Sequence, residues 1–402
     1  TQEMGIRLNS SNLSQLEISR THFYRSFWQD FQERVLDKNF SADGKRYCKS
    51  ASEAYKDSIN AYIAAIAVQG KEAISSEEDF FIIIELGHWL MNRDAGRDKY
   101  PEISETDYFN GYQTALKLYE GIDPNHFLDE DLKYNFFASR GLAEVRQGGS
   151  LDAAQADFKE AETNSESLNK VSSDLLYNLA SVHAKLANDM DAITKYKDAL
   201  EKADKDSKVN RSIIYRDLGF VYLLSGRTKT HDSNSTGTQD LEDAISSFDA
   251  IEDPALMSIA HAGKALAIHY MGDEYTGQGS AESEIASAQD AKTEKSIGFG
   301  LVDYAEKLIS NPETYEASLE RQIKSIAFGS FVAHDLRSDD VIDIFHFEFY
   351  CQGSDPRVLE YPSTERVSSI FIEQLTLAPF EWGALPTRQP QEFIHLASLI
   401  QS

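Results

Sequence analysis

The chain has 402 residues, with 66 Asp and Glu against 39 Lys and Arg, giving a formal net charge of −27 and an isoelectric point near 4.7. That balance argues against direct nucleic-acid binding and against docking on an anionic membrane, because phosphate groups would repel the protein. Cysteines occur only at Cys48 and Cys351, so there is no disulfide framework and no Cys-x-x-Cys zinc site, and no apolar run approaches the roughly 20 residues of a membrane span. The sequence therefore reads as a protein of a reducing, cytoplasmic compartment.

The acidity itself has two readings. It keeps an extended surface soluble and monomeric, or it attracts a partner of basic character. The first dozen residues are polar and carry no signal-peptide pattern. Because the chain opens on Thr1 rather than Met, it reads as a trimmed portion of something longer. Phe23, Phe27, Phe31 and Leu36 then form an aromatic stripe at helical spacing over about Thr21–Lys38, which core packing explains better than a ligand groove. Asp43-Gly44 marks a turn, and Tyr55, Ile59, Tyr62 and Ile66 share one face of a helix near Ala51–Gln69. Residues 1–75 are expected to form a helical cap over one end of a stack.

Residues 76–330 read as paired helices. Leu86, Gly87 and Leu90 lie on a helix over Glu78–Asn92, followed by a polar insertion, Arg93–Glu105. Its partner, about Tyr108–Ile122, carries Ala115, Tyr119 and Ile122 and is expected to stop at Pro124. The spacing of small, aromatic and small residues recurs as Ala154-Phe158-Ala161, Ala192-Tyr196-Ala199, Ala244-Phe248-Ile251 and, more weakly, Ala281-Ile285-Ala288. The fullest copy is Leu176–Leu200. There Leu176, Leu179, Ala180 and His183 mark one helix, and Ala192, Tyr196 and Ala199 mark a second after a break around Ala187–Asp191. Tyr215, Leu218, Gly219 and Tyr222 mark another first helix. After Gly226 comes Arg227–Gln239, which has no apolar side chain and is predicted to be a flexible loop dispensable for folding.

Phe299–Ile309 and Glu313–Phe328 are predicted to close the array, with Pro312 at the turn. Residues 331–402 differ in character. Phe345, Phe347, Phe349 and Cys351 alternate with His346, Glu348 and Tyr350 as on a strand, and five of the nine prolines fall in the last 47 residues. This Pro-rich segment, with a strand and a helix, is either a small appended domain or a strap lying on the repeats.

The pattern over about Phe80–Ala291 resembles the tetratricopeptide-repeat (TPR) superfamily. The recurring alanines stand 39, 38, 52 and 37 residues apart rather than about 34, so the copies carry insertions. The resemblance implies an all-α, right-handed solenoid of helical hairpins. Its concave face would be lined by first helices and would take an extended peptide or a partner helix. Carried over by position, the partner-binding residues would be Tyr177, Ser181, Lys185, Arg216, Phe220 and Lys264, with Ile268 beside them. Tyr177, Arg216 and Phe220 would form an aromatic-plus-Arg contact patch. The competing reading is that Phe220 packs against the next hairpin. Asn178 matches one position of the carboxylate clamp of chaperone-binding TPR domains, but Tyr177, Ser181, Ile213 and Asp217 stand where Lys, Asn or Arg would complete it, so that clamp is not expected.

Motifs that carry chemistry are weak. Glu85–His88 and Glu392–His395 have the Glu-x-x-His spacing of carboxylate-bridged metal sites, but chance supplies such a pair in a chain this acidic. Gly298-Phe-Gly300 and Gly277-Gln-Gly279-Ser280 do not complete a phosphate loop, and Cys351 lacks the context of a nucleophile. His346 near Glu348 fits a solvated strand face. The expectation is a non-enzymatic scaffold with no catalytic residues, metal or cofactor, binding a protein or peptide partner. The alternative is a sensory or regulatory module that binds a small peptide or ligand and relays the change to an attached domain. A weaker third reading puts an enzyme site in Phe331–Ser402. If the paired helices are the folding unit, Ala192→Glu or Ala199→Glu buries a charge in a helix–helix contact and costs several kcal/mol, read as lost helicity and a lowered Tm by circular dichroism.

Overall fold

Short polar side chains set where helices begin in this chain, by accepting hydrogen bonds from first-turn amides that have no partner within the helix. Ser150 accepts from Ala153 N, Ser172 from Leu175 N, and Asp129 from Asp131 N and Leu132 N. Ser280 and Ser283 form a reciprocal capping box. The structure, a computed structural model, describes residues 57–68, 74–92, 105–168, 170–203, 209–231, 236–293 and 300–332, parts of 16–23, and Gly70, Ser296 and Gly298. The helix expected over Thr21–Lys38, the Arg93–Glu105 insertion and the strand at Ile344–Cys351 fall wholly or mostly outside these residues. Every regular element among them is helical, so the chain is all-α at that level, and no helix among them is long and apolar enough to cross a membrane.

The described residues divide into two compact units, one ending at Gly148 and one spanning Gly149–His334. In the first, α1 (57–68), α2 (Glu77–Asn92), α3 (Glu105–Tyr119) and α4 (Glu130–Arg146) pack together. Its polar anchor is Asp79, 1% exposed. The carboxylate accepts from Arg20 Nε (2.7 Å) and Arg20 NH2 (2.6 Å), from Tyr62 Oη (2.8 Å) and from Ser76 Oγ (2.7 Å). Pro124 does not terminate α3. The helix ends at Tyr119, and Pro124 starts a separate 3-10 turn, Pro124–His126. Helix α4 has no counterpart in the sequence reading, because Tyr134, Phe136, Phe137, Leu142 and Ala143 are buried around much of its circumference and leave no single stripe.

The second unit opens with α5 (Leu151–Ser167). It continues as three consecutive pairs: α6 (Ser173–Lys185) on α7 (Asp189–Lys202), α8 (Arg211–His231) on α9 (Thr236–Asp249), and α10 (Met257–Met271) on α11 (Ala281–Asp290). The recurrent small and aromatic residues meet in these pairs. Ala192, Tyr196 and Ala199 are fully buried. Phe248 of α9 is seated on two glycines, since a Cβ on Gly219 would lie 2.8 Å from its ring and one on Gly263 would lie 2.4 Å away. Serines tie the pairs at their ends, with Ser173 Oγ donating to Ala199 O and Ser258 Oγ to Ala288 O.

Between α6 and α7 the chain reverses through a left-handed residue, Ala187, at φ 60°. Asn188 N donates to His183 O and Ala187 N to Ala184 O, the paired bonds of a Schellman motif that normally has Gly at this position.

Two expectations need correction. Arg227–Gln239 is not a loop, because α8 runs on to His231 and α9 starts at Thr236. The two helices approach backbone to backbone, with Gly226 and Gly237 so close that a Cβ on Gly226 would lie 2.9 Å from Gly237 O. Asp240 accepts from Ser225 Oγ (2.7 Å) and Lys229 Nζ (2.6 Å). Glycines and ion pairs make this contact, so hydropathy does not reveal it, and deleting the stretch would remove packing. The closing pair is also broken up. Gly300–Ser310 forms α12, after which the chain bends through a single turn α13 (Pro312–Tyr315) and a 3-10 turn (Glu316–Ser318) before α14 (Leu319–Ile326).

Two substitutions test this packing with opposite signs. Gly263→Ala drives a methyl into the Phe248 ring and is expected to cost about 1–3 kcal/mol. Ala187→Gly relieves the left-handed backbone and is expected to stabilise by roughly 1 kcal/mol. Urea unfolding of both variants checks the pair.

Candidate functional site

The residues that share the α6 and α8 surface meet a later part of the same unit. Beyond α14 the chain loses helical geometry over Ala327–Val332 and crosses α8 and then α6. Asp217, fully buried on α8, is the meeting point. Its carboxylate accepts from Arg216 Nε (2.6 Å), from Tyr177 Oη of α6 (2.8 Å) and from the backbone N–H of Phe328 (3.2 Å). Arg216 reaches Ser330 Oγ with NH2 at 3.3 Å. One turn-length further along the segment, Asn178 of α6 takes both polar groups of Val332. Its Nδ2 donates to Val332 O (2.6 Å) and its Oδ1 accepts from Val332 N (2.9 Å). Lys185 Nζ lies 5.8 Å from the centre of the Phe331 ring, and its carbonyl accepts from Lys324 Nζ (3.1 Å).

Upstream, Glu316 continues the line. It accepts from Tyr270 Oη of α10 (2.5 Å) and lies 2.7 Å from Arg227 Nε of α8. Residues 316–332 thus make contacts with α10, α8 and α6.

Electrostatics follow from this burial. Burial, then the negative charge of Asp217, raises the Tyr177 phenol well above its ordinary value. Burial alone would lower the Arg216 guanidinium, but the charge and hydrogen bond of Asp217 outweigh it and hold Arg216 protonated. Burial lowers the Lys185 ammonium, with Asp217 opposing and Lys324 reinforcing.

The six sequence-predicted site residues separate here. Tyr177, Ser181 and Phe220 are fully buried and are not an open contact patch. Tyr177 packs on Tyr196 with ring centres 5.8 Å apart, Ser181 Oγ is 3.0 Å from Tyr196 Oη, and Phe220 meets Phe248 edge-on at 5.0 Å. They are core because the aromatic of each second helix needs a wall to rest on, and these side chains provide it. Arg216 is also buried, at 3% exposure, between Asp217 and the segment. Lys264 lies in another seam, paired with Asp249 (2.8 Å) and Glu284 (3.3 Å) of α9 and α11. Lys185 is half-buried against the segment, and Ile268 is core. Asn178 and Asp217, weighed in the sequence only against a carboxylate clamp, make the central contacts. No sequence pattern marks Ala327–Val332.

Of Glu85 and His88, the spaced pair on α2, His88 meets Ser139 of α4. His88 Nε2 is hydrogen-bonded to Ser139 Oγ, but His88 Nδ1 stands 3.9 Å from Glu85 Oε1, beyond hydrogen-bond reach. Glu392–His395 lies outside the described residues. Among those residues no three His, Cys, Asp or Glu side chains are grouped to hold a metal ion. Compared with family models, with curated proteins and with solved structures, the chain matches none.

A pH prediction follows from Tyr177. Its folded value is raised above the unfolded value of 10.0, so the stability it contributes is fully present below pH 10 and is lost as pH rises beyond it. Chemical unfolding between pH 8 and 11 should show a stability decline that Tyr177→Phe makes shallower, after a loss at pH 8 of about 1.5–3 kcal/mol for the missing hydrogen bond to a buried carboxylate.

Proposed function

We propose that this protein is a non-enzymatic interaction module with a TPR-like array of hairpins, which binds an extended segment of a partner protein or peptide on the face shared by its first helices. The observation that carries the reading is the double hydrogen bond from Asn178 to the N–H and C=O of Val332. A side-chain amide that satisfies both backbone groups of one residue engages a main chain whatever its side chain, which is what capture of an extended segment requires. The acidic character of the chain as a whole favours the approach of a partner of basic character. The regulatory alternative is favoured by one observation: the chain's own Ala327–Val332 lies on the same face, so any partner there is coupled to the position of this segment.

The test is affinity capture from the native source with quantitative mass spectrometry, comparing the unaltered chain with Asn178→Ala. Partners held on this face should fall at least about tenfold on the variant, as expected when a pair of hydrogen bonds worth roughly 1.4 kcal/mol or more is lost. Equal recovery of every captured protein would place binding elsewhere and overturn the reading.

A further inference from the structure

Resting on that reading, we infer that Ala327–Val332 is a resident stand-in for the partner, and that the face takes extended segments of the same chemistry. The pattern is an aromatic residue, a small residue, a hydroxyl residue, a second aromatic residue and a residue with a free backbone N–H.

Four positions of the stand-in, Phe328, Ser330, Phe331 and Val332, have a receptor. Phe328 is fully buried in the unit's core, and its N–H is received by Asp217. Gly329 is exposed and touches nothing selective. The Ser330 hydroxyl accepts from Arg216, the Phe331 ring lies below the Lys185 ammonium, and Val332 is held through its main chain by Asn178. Three of these contacts use side chains aimed at backbone or hydroxyl groups of an irregular segment, rather than at another helix. Such contacts suit capture of a main chain, although Asp174 on Val209 N and Ser212 on Glu252 N show the same kind of bond within the unit's own packing.

The occupant is held by its buried rings and by Asp217, and it carries one local cost. Phe328 sits at φ 60°, a left-handed backbone that an L residue with a bulky side chain rarely adopts. Release removes that strain but uncovers the Phe328 ring and the Asp217 carboxylate, so a competing segment must supply both contacts. Being tethered directly to α14, the segment is present at an effective concentration on the order of millimolar, and a free partner must compete with it.

The experiment uses the full chain and a fluorescein-labelled, C-terminally amidated peptide of sequence IAFGSFV, residues Ile326–Val332, read by fluorescence anisotropy. The wild-type chain should bind it weakly. A chain carrying Phe328→Ala and Val332→Pro, which empties the core site of the Phe328 ring and removes the N–H received by Asn178, should bind it at least tenfold more tightly. Adding Asn178→Ala to that chain should abolish the gain, and a peptide carrying the same two substitutions should not bind. Equal affinity of the wild-type and released chains, or binding that is indifferent to Asn178, would overturn the inference and leave the segment as ordinary packing. Should the doubly substituted chain fail to fold, amide exchange on the wild-type chain decides. Excess peptide should expose the Phe328 and Val332 amides to exchange, and unchanged protection would overturn the inference. Dimerisation of the wild-type chain that the peptide blocks would assign the face to a second copy and overturn it likewise. If the peptide fails while Asn178-dependent partners are still captured, the ligand chemistry is wrong and the interaction module stands. If both fail, the module falls with it.

Discussion

The second unit depends on one buried carboxylate. Asp217 is closed off from solvent and is bonded by Arg216 beside it, by Tyr177 from α6 and by the Phe328 amide from the segment beyond α14. A charge in that position is costly unless every lone-pair direction is answered, and its removal would leave Arg216 buried without a counter-charge. The value of such a cluster lies in specificity more than in net stability. A carboxylate with three directional donors is satisfied in one arrangement of α6, α8 and the segment. The first unit uses the same device, with Asp79 receiving Arg20, Tyr62 and Ser76.

Around these polar anchors the helices are joined by shape. Phe248 lies on Gly219 and Gly263 where there is no room for a methyl group, and Tyr196 is fully buried with Ala192 and Ala199 on its own helix. Close approach of backbones gives a large ring many contacts at separations where dispersion is strong, and it excludes water from the seams. This explains why the aromatic residues of the first helices are core. A ring cannot both support the neighbouring hairpin and face a partner, and the packing density of the seams requires the first role. The polar residues beside them, Asn178 and Arg216, reach past the seam to the segment instead.

Much of this organisation was legible in the residues. The recurrence of Ala192-Tyr196-Ala199 and its relatives located the second helices, because a helix that buries a narrow stripe must repeat it at 3.6-residue spacing. The break between α6 and α7 was legible too, although it runs through Ala187 rather than a glycine. Less legible were α4, buried around too much of its circumference to show a stripe, and the α8–α9 join, where glycine and charged residues imitate a loop. Asp217 stood in view as a residue that spoiled a known clamp. Its role depends on Tyr177 and Phe328, which lie 40 and 111 residues away in sequence.

By itself, then, the sequence determined the helical periodicity, the pairing of neighbouring helices and an acidic surface, because each depends on residues within a few turns of one another or on composition alone. Only the tertiary structure decided which side of each first helix is core, that Arg227–Gln239 is mostly helix, and that Ala327–Val332 lies on α8 and α6. Those outcomes depend on contacts between residues far apart in the chain, where a side chain's role is set by what arrives opposite it and leaves no local period to read.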